Sequence, residues 1–507
     1  MNSSRRAPGI ARNAIANWVS FVVTALVGFF LSPFLVGHLG ATQYGLWAFL
    51  AGITLYLGLL DIGIRQAVNR YVAHHRAIGE HDQCGAIVST AIKLFLLLGI
   101  VTLFLSGAIA LLAPRVFNIP DALVDDARIV IVLGGLTVAV SLIGGAFGGV
   151  LTGLQRFDVI AYIEISVLAL RTIAIVIAIR SGYGLVMLAS IQLVASILNG
   201  VGFRVAIRRL FADLDLRLRG LVLPQARMLL SFGASMSVIF LLGRLVSYSD
   251  SIIIAAILPI EAVTFFGIAG TLANYAKDAT AALAYVLMPR VSALAATGSG
   301  RVKDEVLAVA GIGTLLTTPM AIVFVIQGES FISLWMGSAY GPTSGEILRI
   351  LAFVVWLEAG RSIIINALVG VGKQRILIPG LAFEAICKIG LSFALAGRLG
   401  LPGVALGTLI PSVFVNLAYM PRCLSTATGV SVSLYLRRSL LLPTAACAPF
   451  ALAIALIERY APATSLWLFF VEVLLVLPLV PAAAWFVCLT DSEKLLARAL
   501  VTRLVGR

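Results

Sequence analysis

Charge is scarce in this sequence. Only 12% of its 507 residues are Asp, Glu, Lys or Arg, while 60% are hydrophobic. An ordinary soluble domain carries about 25% charged residues, so a soluble globular fold is excluded and an all-α integral membrane protein is expected. Acid is scarcer than base, 23 Asp and Glu against 37 Lys and Arg, for a net charge of +14. The basic residues do not gather into a domain, which argues against nucleic acid as a partner. They sit in short clusters between apolar runs, as in a membrane protein whose inner loops are positive. Cysteine is rare, at positions 84, 387, 423, 447 and 488, and no two have CxxC spacing. That pattern fits reduced, buried thiols and neither a disulfide framework nor a zinc site. A phosphate-binding GxxxxGK[ST] loop is lacking too, since "GVGKQR" (370–375) does not meet the pattern. Energy for any transport would then come from an ion gradient or from the substrate's own gradient.

What is present is length and grease. A membrane span needs about 20 mostly apolar residues, and the chain offers about 14 such runs: 13–36, 44–67, 85–113, 127–152, 159–180, 185–207, 229–257, 263–288, 305–328, 345–371, 376–396, 403–420, 439–458 and 466–489. The first follows Arg5, Arg6 and Arg12, is too long for a signal-peptide core and is followed by no A-x-A site. Placing the N-terminus inside puts most Lys and Arg on inner segments and leaves Arg115, Arg128, Arg180, Arg398 and Arg459 on outer ones. The bias predicts an N-in, C-in topology. All outer segments are short. "GHLGATQ" (37–43) carries no acid, and His38 is the only outer-loop histidine, so an enzyme working by acid–base chemistry on the outer face is poorly equipped and no catalytic residue is assigned.

The chain repeats itself. "LTGLQRFDVIAYIEIS" (151–166) resembles "LVGVGKQRILIPGLAFEAIC" (368–387), and "SGYGLVMLASI" (181–191) resembles "LGLPGVALGTLI" (399–410). Gln155-Arg156 pairs with Gln374-Arg375, Glu164 with Glu384, Gly182 with Gly400 and Arg70 with Arg290, all at an offset of about 220 residues. An even number of spans per repeat implies two parallel six-helix bundles related by an axis along the membrane normal. The expected organisation is a bundle over 1–207, a basic cytoplasmic linker over 208–228, a second bundle over 229–425, and a helix pair with a cytoplasmic tail over 426–507.

Charges at mid-membrane cost about 2.5–3.5 kcal/mol each on insertion scales and so face a cavity or a partner. Candidates are Arg171, Arg244, Asp250, Lys277, Asp278, Glu358, Arg361, Glu384 and Lys388, with Lys93 nearer the inner face. Glu358 and Arg361 are i,i+3 and Glu384 and Lys388 are i,i+4, spacings that place opposite charges on one helix face. Arg244 and Lys277 have no such local partner, and either line a cavity or bond across helices. Arg171 reaches Glu164, two turns away, only poorly. The cation excess of Arg244, Lys277, Arg361, Arg171 and Lys388 suits an anionic substrate group such as a phosphate or pyrophosphate. In "GLLDIGIRQAVNRYVA" (58–73), Asp61 and Arg65 are again i,i+4. They form either an interfacial ion pair that ends the helix, with Arg65 snorkelling, or an ion-coupling or gating pair facing the cleft between bundles, a role open also to Asp250, Asp278 and Glu358. "GGAFGGVLTG" (144–153) spaces small residues four apart and permits close helix packing. "HHRAIGEHD" (74–82) reads as a solvated loop or, less simply, as a metal site; none is assigned.

"LSPFLVGHLGATQYGLWAFLAGITLYLGLLDIGIRQAVNRYVA" (31–73) resembles the opening of the polysaccharide transporter family, the Wzx-type flippases. "FISLWMGSAYGPTSGEILRILAF" (331–353) does so as well. The whole plan resembles the multidrug/oligosaccharidyl-lipid/polysaccharide exporter superfamily. The chain lacks the Arg-rich first-helix pattern of lipid II flippases. The resemblance implies transfer of an undecaprenyl-pyrophosphate-linked oligosaccharide across a bacterial inner membrane by alternating access, coupled to H+ or Na+ and using no organic cofactor. It implies membrane lipid, a polysaccharide polymerase and a chain-length regulator as partners. It also places Asp61, Arg65, Arg244, Asp250, Lys277 and Asp278 on cleft-lining helices. The alternative on the same fold is a cation-coupled drug or small-molecule antiporter.

Overall fold

A computed structural model describes residues 10–211, 223–296 and 302–488. Arg5, Arg6, Arg217, Arg219, Lys494 and Arg498 therefore lie outside the described residues, as does most of the linker expected over 208–228. The side chains of Arg12 and Arg290 are likewise not described.

Every regular element among the described residues is helical. In a medium without water a helix satisfies its own backbone hydrogen bonds, and that is the reason such apolar runs fold this way. Nine helical segments among the described residues are long and apolar enough to cross a membrane, by length and composition. Their surfaces are inverted relative to a soluble protein. Phe104 is 77% exposed, Trp467 79% and Phe486 78%, while Thr90, Thr102 and Ser106 are buried. The protein is a multi-pass membrane protein.

Residues 1–264 form one compact unit and 265–507 another. The first contains α1 (Ile10–Leu57), α2 (Ile64–Ala77), α3 (His81–Val116), α4 (Val124–Gly153), α5 (Phe157–Arg180), α6 (Leu185–Leu210), α7 (Leu223–Ile257) and the start of α8 (Glu261–Ala296). The second holds the rest of α8, then α9 (Val302–Ile326), α10 (Gly328–Met336), α11 (Gly341–Leu357), α12 (Arg361–Gly370), α13 (Ile378–Phe414), α14 (Met420–Thr428), α15 (Val432–Tyr435), α16 (Leu442–Ala446), α17 (Ala448–Tyr460), α18 (Leu466–Val476) and α19 (Leu479–Val487).

Two expectations about helix ends need correction. The outer loop expected at 37–43 is a break at one residue, Gly40, whose φ of 73° lies in the left-handed region, inside an otherwise continuous α1. Glycine adopts that conformation at no steric cost, so no longer loop is needed. Conversely, the run 44–67 is two helices. A 3-10 turn over Gly58–Asp61 and left-handed residues at Ile62 (φ 46°) and Gly63 (φ 67°) separate α1 from α2.

The sequence repeat has a conformational counterpart. Gly182 and Gly400, matched by sequence, both have left-handed φ, at 81° and 62°. The glycines of 144–153 do pack closely. A Cβ on Gly144 would lie 3.2 Å from the Gly200 backbone on α6, and one on Gly153 2.7 Å from the Asn69 carbonyl on α2. The expectation of buried thiols holds for Cys84, Cys423 and Cys447; Cys387 and Cys488 are half-buried, and all five are free.

Candidate functional site

The helix break at 58–63 sets the first unit's polar centre. Asp61 accepts the backbone N–H of Arg65 at 3.2 Å through Oδ1, capping the start of α2. Its Oδ2 lies 3.5 Å from Arg65 Nε. The pair read from i,i+4 spacing is thus present, at a break in the helix. Gly145 on α4 makes room for the guanidinium: a Cβ there would sit 2.7 Å from Arg65 Nη2. Arg65 is also the cation whose charge acts on Glu164 of α5.

The α5–α6 hairpin supplies four polar side chains. Arg171 Nη1 donates to Gln192 Oε1 at 3.0 Å. Glu164 on α5 and Asn199 on α6 are the other two. Between α4 and α6, Ser141 and Ser196 hydroxyls meet at 2.8 Å, and Ser196 also donates to the Thr137 carbonyl. With Ser20 and Thr24 of α1, these side chains line a cavity of about 340 Å3, floored in part by Phe203. Pockets for small ligands run from about 300 to 1,000 Å3. Arg65 and Glu164 are exposed, Arg171 and Asn199 half-buried. Arg171 Nε and Asn199 Oδ1 are buried and meet no hydrogen-bond partner among the described residues.

The second unit carries a chain of ion pairs. Lys277 Nζ on α8 lies 3.0 Å from Glu358 Oε2. Glu358 Oε1 accepts from Arg361 Nη1 at 3.1 Å, the i,i+3 pair. Arg361 then donates to both oxygens of Glu384 on α13, at 2.7 and 2.6 Å. Glu384 and Lys388 are 1% and 2% exposed, and the charge of Lys388 also acts on Glu358. Glu358 stands in a 3-10 turn over Glu358–Gly360 that separates α11 from α12. Lys277, for which a cavity or a cross-helix bond stood open, therefore has a cross-helix partner.

The remaining candidates lie apart. Arg244 on α7 is exposed, and among the described residues its guanidinium meets only the ring of Tyr248, 5.2 Å from the centroid. Asp250, six residues further along α7, acts on Tyr56 of α1. Asp278 is exposed beside Lys277. Around the turn between α2 and α3, His75 Nδ1 pairs with Glu80 at 2.7 Å and Arg76 with His81 at 2.9 Å. No cluster of three His, Cys, Asp or Glu suited to a metal occurs among the described residues.

Sequence reasoning singled out Arg65 and Arg171 but missed Gln192, Asn199, Ser141 and Ser196, and considered Glu164 only as a repeat marker and as a poorly placed partner for Arg171. The available signal was spacing. Glu164 and Arg171, and then Gln192 and Asn199, are each seven apart, so each pair holds one face of its helix through two turns.

The sequence profile of the family described as "Polysaccharide biosynthesis protein" matches residues 10–295. Among curated proteins, the chain is 22% identical to an "Uncharacterized membrane protein EpsK" of Bacillus subtilis (strain 168), covering 84% of this chain and 85% of the relative. It is 21% identical to a "Putative O-antigen transporter" of Shigella flexneri, covering 78% and 93%. Among solved structures, it is similar to a lipid II flippase, MurJ, in an inward closed conformation, with a TM-score of 0.71 at 14% identity over 98% of this chain and 99% of that one. It is also similar to an inward-facing multidrug resistance MATE family transporter, with a TM-score of 0.63 at 16% identity over 82% and 99%. These two likenesses establish a shared fold.

Proposed function

The chain belongs to the polysaccharide biosynthesis protein family, and on that premise we propose that it is a flippase moving an undecaprenyl-pyrophosphate-linked oligosaccharide across the bacterial inner membrane by alternating access. The relative named as an O-antigen transporter supports this reading. The proposal keeps about 14 spans, N-in and C-in, as two six-helix bundles followed by a helix pair, with H+ or Na+ as the coupling ion.

The observation that carries the anionic part of the substrate is Arg244. An exposed guanidinium on an apolar helix, with no carboxylate beside it among the described residues, is expensive to keep in a membrane. A diphosphate arriving with its own negative charge offsets that cost, and arginine's planar fork matches phosphate oxygens two at a time. Lys277, Arg361 and Lys388 contribute differently. Their charges are set against Glu358 and Glu384, so this network holds the second unit's helices together and leaves Lys277 as its most accessible cation, 31% exposed. Asp61 with Arg65 at the α1–α2 break is the proposed ion-coupling or gating pair, with Asp250 and Asp278 as further candidates.

The test is a deletion strain. Surface polysaccharide and membrane-extracted lipid-linked oligosaccharide are compared with the parent. Loss of polymer with repeat units retained on the inner leaflet supports the flippase. Unchanged polymer with raised sensitivity to toxic cations selects the drug antiporter instead.

A further inference from the structure

We infer that the cavity between α1, α2, α4, α5 and α6 is a binding subsite for an uncharged sugar residue of the transported glycan, and not for the diphosphate. The inference rests on the transport reading above and deepens it.

Three features of the cavity select among ligand classes. First, it holds both signs of charge: Arg65 and Arg171 on one hand, Glu164 on the other. A diphosphate would meet the Glu164 carboxylate on the wall, and an organic cation would meet two guanidinium groups. Arg65 is in any case already set against Asp61 and Glu164. Second, the unfilled hydrogen-bonding capacity is mixed. Arg171 Nε is a donor and Asn199 Oδ1 an acceptor, both buried and both without a partner among the described residues. Leaving such buried groups unmet is costly. A phosphate oxygen satisfies only the donor, and an ammonium only the acceptor. A hydroxyl does both, because it carries one O–H and two lone pairs, and a sugar presents several at once. Third, Val167, Leu168 and Phe203 add apolar side chains to the lining, which suits the C–H face of a pyranose ring. Gln192 is held by Arg171, and Ser141 by Ser196. Arg171, Gln192, Ser141 and Ser196 are therefore positioned before any ligand arrives, and less ordering entropy is lost on binding.

The test compares two ligands on the full-length protein in phospholipid nanodiscs, with no sugar detergent present. One is glycan-free undecaprenyl pyrophosphate; the other is the lipid-linked oligosaccharide extracted from the deletion strain. Binding is read by native mass spectrometry for the wild type, for Asn199→Leu, which removes the buried acceptor, and for Ser20→Leu, which fills the cavity from α1 and serves if Asn199→Leu does not fold. Both variants are expected to bind the oligosaccharide-bearing lipid at least tenfold more weakly and the glycan-free lipid as the wild type does. An equal loss for both lipids would place the diphosphate in the cavity and overturn the inference. No loss for either would make the cavity a structural feature and overturn it as well. A wild-type protein that binds neither lipid removes the transport reading itself, an outcome separate from these two.

Discussion

Arg361 donates two parallel hydrogen bonds to Glu384, Nη1 to Oε1 at 2.7 Å and Nη2 to Oε2 at 2.6 Å, across 23 residues of chain. The carboxylate is nearly inaccessible, at 2% side-chain exposure. Removing one member of such a buried pair strands the other charge and costs about 3–5 kcal/mol. Arg361→Ala is therefore expected to lower the thermal midpoint of the purified protein sharply, with loss of well-folded material. The double variant Arg361→Leu/Glu384→Leu, which removes both charges, is expected to recover much of that loss. Thermal unfolding followed with a thiol-reactive dye suits the measurement, since three of the five free cysteines are buried. A double variant no more stable than Arg361→Ala would show that the pair is not the source of the loss.

The helix break before α2 gives a stability test with an internal control. Gly63 has φ 67°, where an L side chain costs about 1–2 kcal/mol. Gly107 is in ordinary helical conformation with open space around its Cβ position. Gly63→Ala is expected to destabilise, whereas Gly107→Ala is expected to stabilise by up to about 1 kcal/mol, the helix-propensity difference between the residues. Opposite shifts in thermal midpoint are the expected result. Shifts of the same sign would mean that the break is not maintained by the glycine.

How far the sequence reveals this architecture depends on the range of each interaction. Asp61–Arg65 and Glu358–Arg361 are legible because helical geometry fixes which residues one turn apart meet. Arg361–Glu384 and Lys277–Glu358 are not, because nothing local ties a residue of α8 or α13 to the break between α11 and α12. Helical character follows from the apolar runs, but where a helix breaks does not. "GLLDIG" has no proline, yet it turns, and it holds Ile62 at φ 46°. A β-branched residue there is a genuine outlier. The polar cavity escaped notice because its members are mostly uncharged. Gln192, Asn199, Ser141 and Ser196 do not stand out in an apolar run as an arginine does, and their convergence comes from the packing of α4, α5 and α6.

Gly145 offers a way to perturb Arg65 without touching it. A Cβ at this position would lie 2.7 Å from Nη2 and 2.9 Å from Nε, so Gly145→Ala is expected to push the guanidinium away from Asp61 and Glu164. Transport should fall to about the level of Arg65→Ala, and the double variant should be no worse than either single one. That non-additivity is the signature of two changes acting through one contact. Restoration of surface polysaccharide in the deletion strain, normalised to protein level in the membrane, supplies the readout. Additive losses would mean that Gly145 serves helix packing alone.

Arg244 carries the proposal for the diphosphate, and its environment sets the sign and size of the effect. A hydrogen bond to a charged group contributes about 1.5–3 kcal/mol, so Arg244→Ala is expected to weaken binding of glycan-free undecaprenyl pyrophosphate roughly tenfold to a hundredfold. Surface polysaccharide should fall while the protein stays in the membrane. Arg244→Lys, which keeps the charge but loses the planar fork, should lie between the two. Lys277→Ala should also reduce transport, but less, because Glu358 keeps Arg361 at 3.1 Å when its lysine partner is gone. The ordering matters more than any single value. If Arg244→Ala left both lipid binding and polysaccharide intact while Lys277→Ala abolished them, the anion would belong to the lysine, and Glu358 would be the group it displaces on arrival.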